Sequence, residues 1–251
     1  MRLKNKVALI TGAAQGIGLG IAQRFFAEGA TVYICDLNED AGKKILMQFP
    51  SGRSGRAFFL KLDVTSEESW MEAFAEVIAR SGKLDILVNN AGINIRQSIE
   101  KMQVKDLEAM LGVNVKGPFI GIKHALPLLR KNGGGSIINI SSICGLIGHQ
   151  YTNEAYTTTK GALTLLTKSV AVRYAKANIR VNSIHPSTVD TPLVRELFKD
   201  PAKKQERLGE VPLGRLATTE DVAAAALFLA SAEGAFLNGV ALPVDGGLTA
   251  Y

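Results

Sequence analysis

A short apolar run, Lys6-Val-Ala-Leu-Ile10, leads at once into Gly12, Gly16 and Gly18, and then into Leu19 to Ala27 with helical apolar spacing. An uninterrupted apolar run reads as a strand buried on both faces, which places it in a parallel sheet with helices on either side. Strand, glycine turn and helix in that order form the setting a dinucleotide-binding loop requires. Gly12 permits a tight turn, Gly16 lets backbone approach a pyrophosphate, and Gly18 lets helix and strand pack closely. The helix N-terminus favours phosphate charge. Gln15 and Ile17 fall inside the same cradle. The spacing is G-x-x-x-G-x-G rather than the commoner G-x-G-x-x-G.

Apolar, β-branched runs then recur at Thr31–Cys35, Ala57–Leu62, Ile86–Val88, Ser136–Ile140, Ile179–Ile184 and Val240–Val244. Helical stretches separate them near Asp40–Gln48, Glu67–Arg80, Val104–Leu129, Glu154–Lys176 and Glu220–Ala230. This alternation predicts an α/β fold: one Rossmann-type, doubly wound domain over residues 1–251, its mostly parallel sheet having about seven strands. Thr65-Ser-Glu-Glu68 has the pattern of a capping box opening the third helix. The rhythm breaks between Pro186 and Gly214, where a short charged helix, Val194 to Leu208, is expected. That excursion, over residues 187–213, would sit above the carboxyl ends of the strands and act as a lid on substrate.

A chain of 251 residues can bury a large core. No apolar run is long enough to span a bilayer, and a strand begins too early for a signal peptide, so a soluble cytoplasmic protein is expected. Cys35 and Cys144 do not suggest a disulfide framework. His124, His149 and His185 have no metal-ligand spacing, so no metal is expected. The net charge is +6, but basic residues are dispersed among acids. Even Lys199–Arg207 includes Asp200 and Glu206, and nucleic-acid binding is not expected.

Tyr156-Thr-Thr-Thr-Lys160 puts a phenol and an ammonium on one helix face. A tyrosine ordinarily ionises near pH ~10, too high for acid–base work at neutrality. A neighbouring cation is expected to favour the phenolate and bring it toward the working range. Thr152 or Asn153 would cap that helix, whose dipole favours the phenolate too. Lys160 has spare donors for a cofactor ribose. Asp36 closes the second strand some twenty residues beyond the glycine loop (about the distance the motif requires), where an acid accepts ribose hydroxyls and repels a 2′-phosphate. Gln15, Leu37 and Asn38 offer no cation to offset it, so NAD is the expected cofactor. Ser142 and Asn89-Asn-Ala-Gly92 follow strands and fall at the same carboxyl edge.

Together, the glycine loop, Asn89–Gly92, Asn114 in Val113-Asn-Val-Lys-Gly117, Ser142, Tyr156 with Lys160, and Val244-Asp-Gly-Gly247 resemble the short-chain dehydrogenase/reductase family, over essentially the whole chain. The resemblance implies reversible oxidation of a secondary alcohol to a ketone. It casts Tyr156 as the acid–base residue, Lys160 as the group that lowers its pKa and holds the nicotinamide ribose, and Ser142 as the substrate-oxygen donor. It casts Asn114 as a helix-kinking asparagine in a proton relay. Asp63 and Val64 would meet adenine beside Asn90, Ala91 and Gly92, and Thr191 the nicotinamide carboxamide. Ser187 departs from the family, which usually has glycine there. The interval from Ser142 to Tyr156 is also slightly longer than in many members, so Gly145–Asn153, with His149, is expected to shape an individual pocket.

The substrate is less legible. Arg96 could face the pocket and pair with a carboxylate, and Asn90-Ala-Gly-Ile-Asn-Ile-Arg96 resembles segments of some sugar-acid (gluconate-type) dehydrogenases. Ile143, Leu146, Ile147 and Leu193 suit cyclic or aliphatic alcohols equally. A 3-oxoacyl carrier-protein reductase is another relative, opposed by Asp36. A non-catalytic nucleotide sensor would have lost the serine, tyrosine or lysine, and all three are present. Leu163, Leu166, Val170 and Tyr174 suit the core, while Leu165, Ser169 and Val172 remain for a neighbour. Family members commonly pair the helices around Val113–Leu129 and Glu154–Lys176, which predicts a homotetramer.

Overall fold

Seven strands run in one direction: β1 (Val7–Thr11), β2 (Thr31–Asp36), β3 (Arg56–Lys61), β4 (Ile86–Asn89), β5 (Gly135–Ile140), β6 (Ile179–Pro186) and β7 (Ala241–Val244). The computed structural model describes residues 1–50 and 55–251, apart from the side chains of Leu193 and Leu197. The strands form one sheet in the order β3-β2-β1-β4-β5-β6-β7, with every pairing parallel. β1 and β4 are buried throughout, as their continuous apolar runs require. β3, at the sheet margin, ends in exposed Arg56 and Lys61. The strand order reverses between β1 and β4, and this opens a crevice at the carboxyl ends of the strands.

Two cores cover the two faces. Ile10, Ile21, Phe25, Ile138 and Leu227 belong to one, beneath α1 (Gly16–Ala27) and α9 (Thr219–Ala230). Leu9, Tyr33, Trp70, Leu87 and Leu126 belong to the other, beneath α3 (Glu67–Ser81) and α5 (Gly117–Lys131). Trp70 is fully buried and donates its indole N–H to the Val64 carbonyl at 3.0 Å. A Cβ at Gly121 would lie 2.6 Å from its ring, so that helix can approach only through glycine.

The long helix expected over Val104–Leu129 is interrupted. It becomes α4 (Val104–Leu111), a π-turn (Gly112–Lys116) and α5. Pro118 has no N–H to give the Asn114 carbonyl four residues back, and its ring crowds that carbonyl, so the regular ladder opens here. The charged helix expected over Val194–Leu208 is two: α7 (Pro192–Leu197) and α8 (Pro201–Gly209). Pro201 disfavours helical backbone at Asp200, which instead caps α8 by accepting from Ala202 N at 3.0 Å. The capping box expected at Thr65 is absent: Ser66 caps α3, and Thr65 turns to the Asp63 carboxylate. A capping box does form at α9, between Thr218 and Asp221.

α2 (Glu39–Leu46) and α6 (Glu154–Tyr174) lie close to expectation. Asn153 rather than Thr152 caps α6, accepting from Tyr156 N at 2.8 Å. On α6, Leu163 and Val170 are buried, whereas Leu165 and Val172 are 68% and 82% exposed. No helix among the described residues is long and apolar enough to cross a membrane.

Candidate active site

The crevice is a cleft of about 680 Å³ that runs from the glycine loop to the segment between β6 and α9. Gln15, Gly16, Ile17, Asn90, Gly92 and Thr191 line one part of it. Ser142, Tyr156 and Lys160 line the same cleft further along, so the sequence-predicted groups converge.

At the glycine loop, Gly12 and Gly16 take left-handed backbone, with φ of +60° and +57°. A Cβ on Gly18 would sit 2.4 Å from the Gly12 carbonyl, so the close helix–strand approach admits glycine alone. Gln15 caps α1 without a side-chain hydrogen bond, leaving the first-turn N–H groups to an anion. Asp36 accepts from Ala14 N at 3.1 Å and Asn38 N at 3.0 Å, which fixes its carboxylate against the loop. Parallel register puts Lys61 opposite Asp36, a neighbour hidden in the sequence, but its ammonium leans toward Glu39 at 3.9 Å. These residues fit a dinucleotide: a backbone cradle for pyrophosphate and an oriented acid beyond it.

Four sequence-predicted cofactor residues are occupied within the protein. Asn90 braces the loop, donating to the carbonyls of Thr11 at 2.9 Å and Gly12 at 3.0 Å. Asp63 accepts twice from Thr65, and Val64 packs against Gly117. Ala91 donates its N–H to Thr11 Oγ1 at 3.0 Å. Ser187, in place of the family's usual glycine, lines the cleft with a buried hydroxyl that has no partner among the described residues.

At the other end, Lys160 is 3% exposed and donates to the Ile140 carbonyl at 2.9 Å, with two donors left for a ligand. Its ammonium lies 5.5 Å from the Tyr156 ring centre. Burial dominates both groups: it pushes the phenol up, well above the ordinary tyrosine range, and draws Lys160 down to about 8. The expectation that the lysine by itself brings the phenol near neutrality is therefore corrected: loss of water dominates the phenol, and Lys160 is not among the groups that offset it. Hydrogen bonding from the Ser142 hydroxyl and the field of Arg96 oppose the rise.

Ser142 Oγ also accepts from Cys144 N at 3.2 Å. The Ser142 carbonyl is held at 2.7 Å by Nδ1 of His185, whose Nε2 meets Ser183 Oγ at 2.8 Å. His185 is fully buried, and burial lowers its pKa, so it works as a neutral tether. Sequence reasoning weighed it only as a metal ligand and missed it, because its partner is a backbone carbonyl 43 residues away. Asn114 is also fully buried: Oδ1 accepts from Ile93 N at 2.8 Å, and Nδ2 donates to Ile93 O at 2.9 Å and Thr159 Oγ1 at 3.0 Å. It thus ties the loop after β4 to α6.

The apolar wall differs from expectation. Ile143 reaches the cleft, but Leu146 and Ile147 do not line it, and the Leu193 side chain lies outside the described residues. Val189, Val194 and Phe198 supply that wall instead. Among the described residues, no group of three or more His, Cys, Asp or Glu could hold a metal.

A family model described as enoyl-(acyl carrier protein) reductase matches residues 12–249. A solved short-chain type dehydrogenase/reductase from Mycobacterium ulcerans superposes with a TM-score of 0.95 at 30% identity, covering 99% of this chain and 91% of that one. The chain belongs to the short-chain dehydrogenase/reductase family. It is an oxidoreductase of the alcohol dehydrogenase/ketone reductase kind, and such enzymes use nicotinamide cofactors. Among its relatives, trans-4-hydroxycyclohexanecarboxylate dehydrogenase of Sinomonas cyclohexanicum is 45% identical over 255 residues, 99% of this chain and 95% of that one. Cyclopentanol dehydrogenase of Comamonas testosteroni is 41% identical over 249 residues, 99% of each chain.

The buried lysine has a measurable signature. Folded, Lys160 sits at about 8; unfolded, a lysine lies near ~10.4. Between those values the unfolded chain binds the extra proton, so this group's contribution to stability grows as pH rises and is lost as pH falls through its folded value. The melting temperature of the wild type minus that of Lys160→Met should increase from about pH 8 to about pH 10. A flat or falling difference contradicts the burial argument.

Proposed function

We propose that the chain is an NAD-preferring dehydrogenase of cyclic or aliphatic secondary alcohols, with Tyr156 as the acid–base group and the 187–213 segment as its substrate lid. The observation that carries this reading is the convergence of Tyr156, Ser142 and Lys160 in one cleft with the glycine cradle. When bound, the dinucleotide supplies the hydride acceptor or donor and, in its oxidised form, a positive charge. Every other step rests on this chain. Ser142, fixed by Cys144 N and the His185 tether, donates to the substrate oxygen as charge develops there. Tyr156 takes the alcohol proton in oxidation and returns it in reduction. Lys160 stabilises the ionised phenol and offers its remaining N–H groups to the ribose. Asn114 holds α6 in register with the loop after β4, and its break in the helix suits the proton relay that the family resemblance implies.

Replacing Tyr156 with Phe should lower kcat by about 10²-fold or more while leaving the dissociation constant for NAD nearly unchanged. Retained turnover removes Tyr156 from the mechanism.

The NAD preference rests on the Asp36 carboxylate, which repels a 2′-phosphate. Steady-state kinetics should give a higher kcat/KM with NAD than with NADP, and Asp36→Asn should narrow the gap. An equal or higher value with NADP rejects the preference.

For assembly, the reading is a homotetramer. Its support is the exposed face of α5 and α6, where Phe119, Leu165 and Val172 are 56%, 68% and 82% exposed. Sedimentation should give four times the 26.8 kDa chain mass; a monomer refutes it.

A further inference from the structure

Four cations line the cleft: Arg96, Lys160, Lys203 and Arg207. Glu206 is the one carboxylate in that lining. Lys160 belongs to the chemistry already described. The other three come from two separate places in the chain, the loop after β4 and α8, so no single helix face explains their meeting.

Their partners differ. Arg207 is committed: it donates to Glu210 Oε2 at 3.3 Å and the Tyr151 carbonyl at 2.9 Å, and it stacks on the Tyr151 ring at 4.5 Å. Glu210 in turn meets His149 Nε2 at 3.1 Å. This network pins α8 to the loop before α6 and fixes the Arg207 guanidinium at the cleft wall. Arg96 has no carboxylate partner among the described residues; the charged and titratable groups that act on it are Arg207 and Tyr156. Burial lowers its pKa, and repulsion from Arg207 adds to the effect. Two guanidinium groups thus face one space near the phenol, Arg207 with a carboxylate partner and Arg96 with none among the described residues, so an incoming anion finds its unpaired fork at Arg96.

We infer that Arg96, with Arg207 beside it, forms a carboxylate subsite, and that the substrate is a secondary alcohol bearing a carboxylate on the same ring or short chain. The inference rests on the dehydrogenase reading and names the substrate class of that same cleft. Arg96 supplies the free planar fork that carboxylates accept in two hydrogen bonds. Lys203 also lines the cleft but is paired with Asp200 at 3.7 Å, so the subsite rests on the two arginines. Arg96 and Tyr156 line the same cleft, so a carboxylate seated on the one leaves the rest of a compact substrate within that cleft beside the other. The walls between, with Ile143, Val189 and Phe198, suit a hydrocarbon ring.

The test uses matched probes, 3- and 4-hydroxycyclohexanecarboxylate and their neutral carboxamides, with NAD and the full-length enzyme. The wild type should show a kcat/KM at least about tenfold higher for a carboxylate than for its amide. The KM for the carboxylate should rise with ionic strength and that for the amide should not. Arg96→Met should raise the KM for the carboxylate about tenfold and leave the KM for the amide within about twofold, while kcat, which also feels the field of Arg96 on Tyr156, changes alike for both. If amides turn over as well as carboxylates, without salt dependence, the subsite is overturned and the dehydrogenase reading stands. If no probe turns over, thermal shift decides: melting-temperature gain from the carboxylates alone, lost in Arg96→Met, upholds the subsite. Equal shifts from acid and amide overturn it.

Discussion

Lys160 is a cation held almost out of water, with the Ile140 carbonyl as its described hydrogen-bond acceptor. Burying an ammonium costs stability unless something repays it, and here one carbonyl at 2.9 Å does only part of that. The rest of the site is arranged around that constraint. The carbonyl comes from the end of β5, so the sheet edge aims the lysine. Ser141, next in the chain, donates back to the Lys160 carbonyl at 3.0 Å and locks α6 to that edge. Tyr156 sits one turn earlier on the same helix, so its place follows from the same clamp. On the proposed mechanism, activity is obtained at some expense of stability, a common feature of sites that need a shifted ionisation.

The surrounding fold supplies fixed points for this arrangement. A fully parallel sheet sends every strand-to-helix loop to one edge, and the reversal between β1 and β4 opens room there. His185, Asn114 and Asn90 share a logic. Each is a polar side chain spent on backbone atoms of a loop that carries a site group. Their work is rigidity, which on the proposed mechanism lets Ser142 and the glycine loop act without reorganising.

Much of this was legible in the residues. The seven strands were found because parallel strands buried on both faces are continuous apolar runs, and β1 and β4 are of that kind. Tyr156, Lys160 and Ser142 were legible because one turn of helix and the end of a strand dictate where they lie. What escaped depended on distance or on a single backbone group. The break at Asn114 was expected only through the family resemblance, not from helical spacing; its local signal is Pro118, whose missing N–H was available to be read. The role of His185 had no local signal, since its partners are a loop carbonyl and a strand serine brought close only by the sheet. Thr65 matched a capping pattern but was drawn to Asp63, a competition between two local hydrogen bonds that spacing cannot decide. The balance of ionisation at Tyr156 was misjudged for a related reason: helical spacing shows a nearby cation but not how much water both groups have lost.

The most direct measurement is a carbon-13 NMR titration of ring-labelled tyrosine, following Tyr156 with and without oxidised NAD. If burial governs the phenol and positive charge offsets it, Tyr156 should stay protonated beyond the ordinary tyrosine range in the free protein and ionise at lower pH once the dinucleotide is bound. Ionisation at or below the ordinary value in the free protein, unchanged by the dinucleotide, would contradict the account.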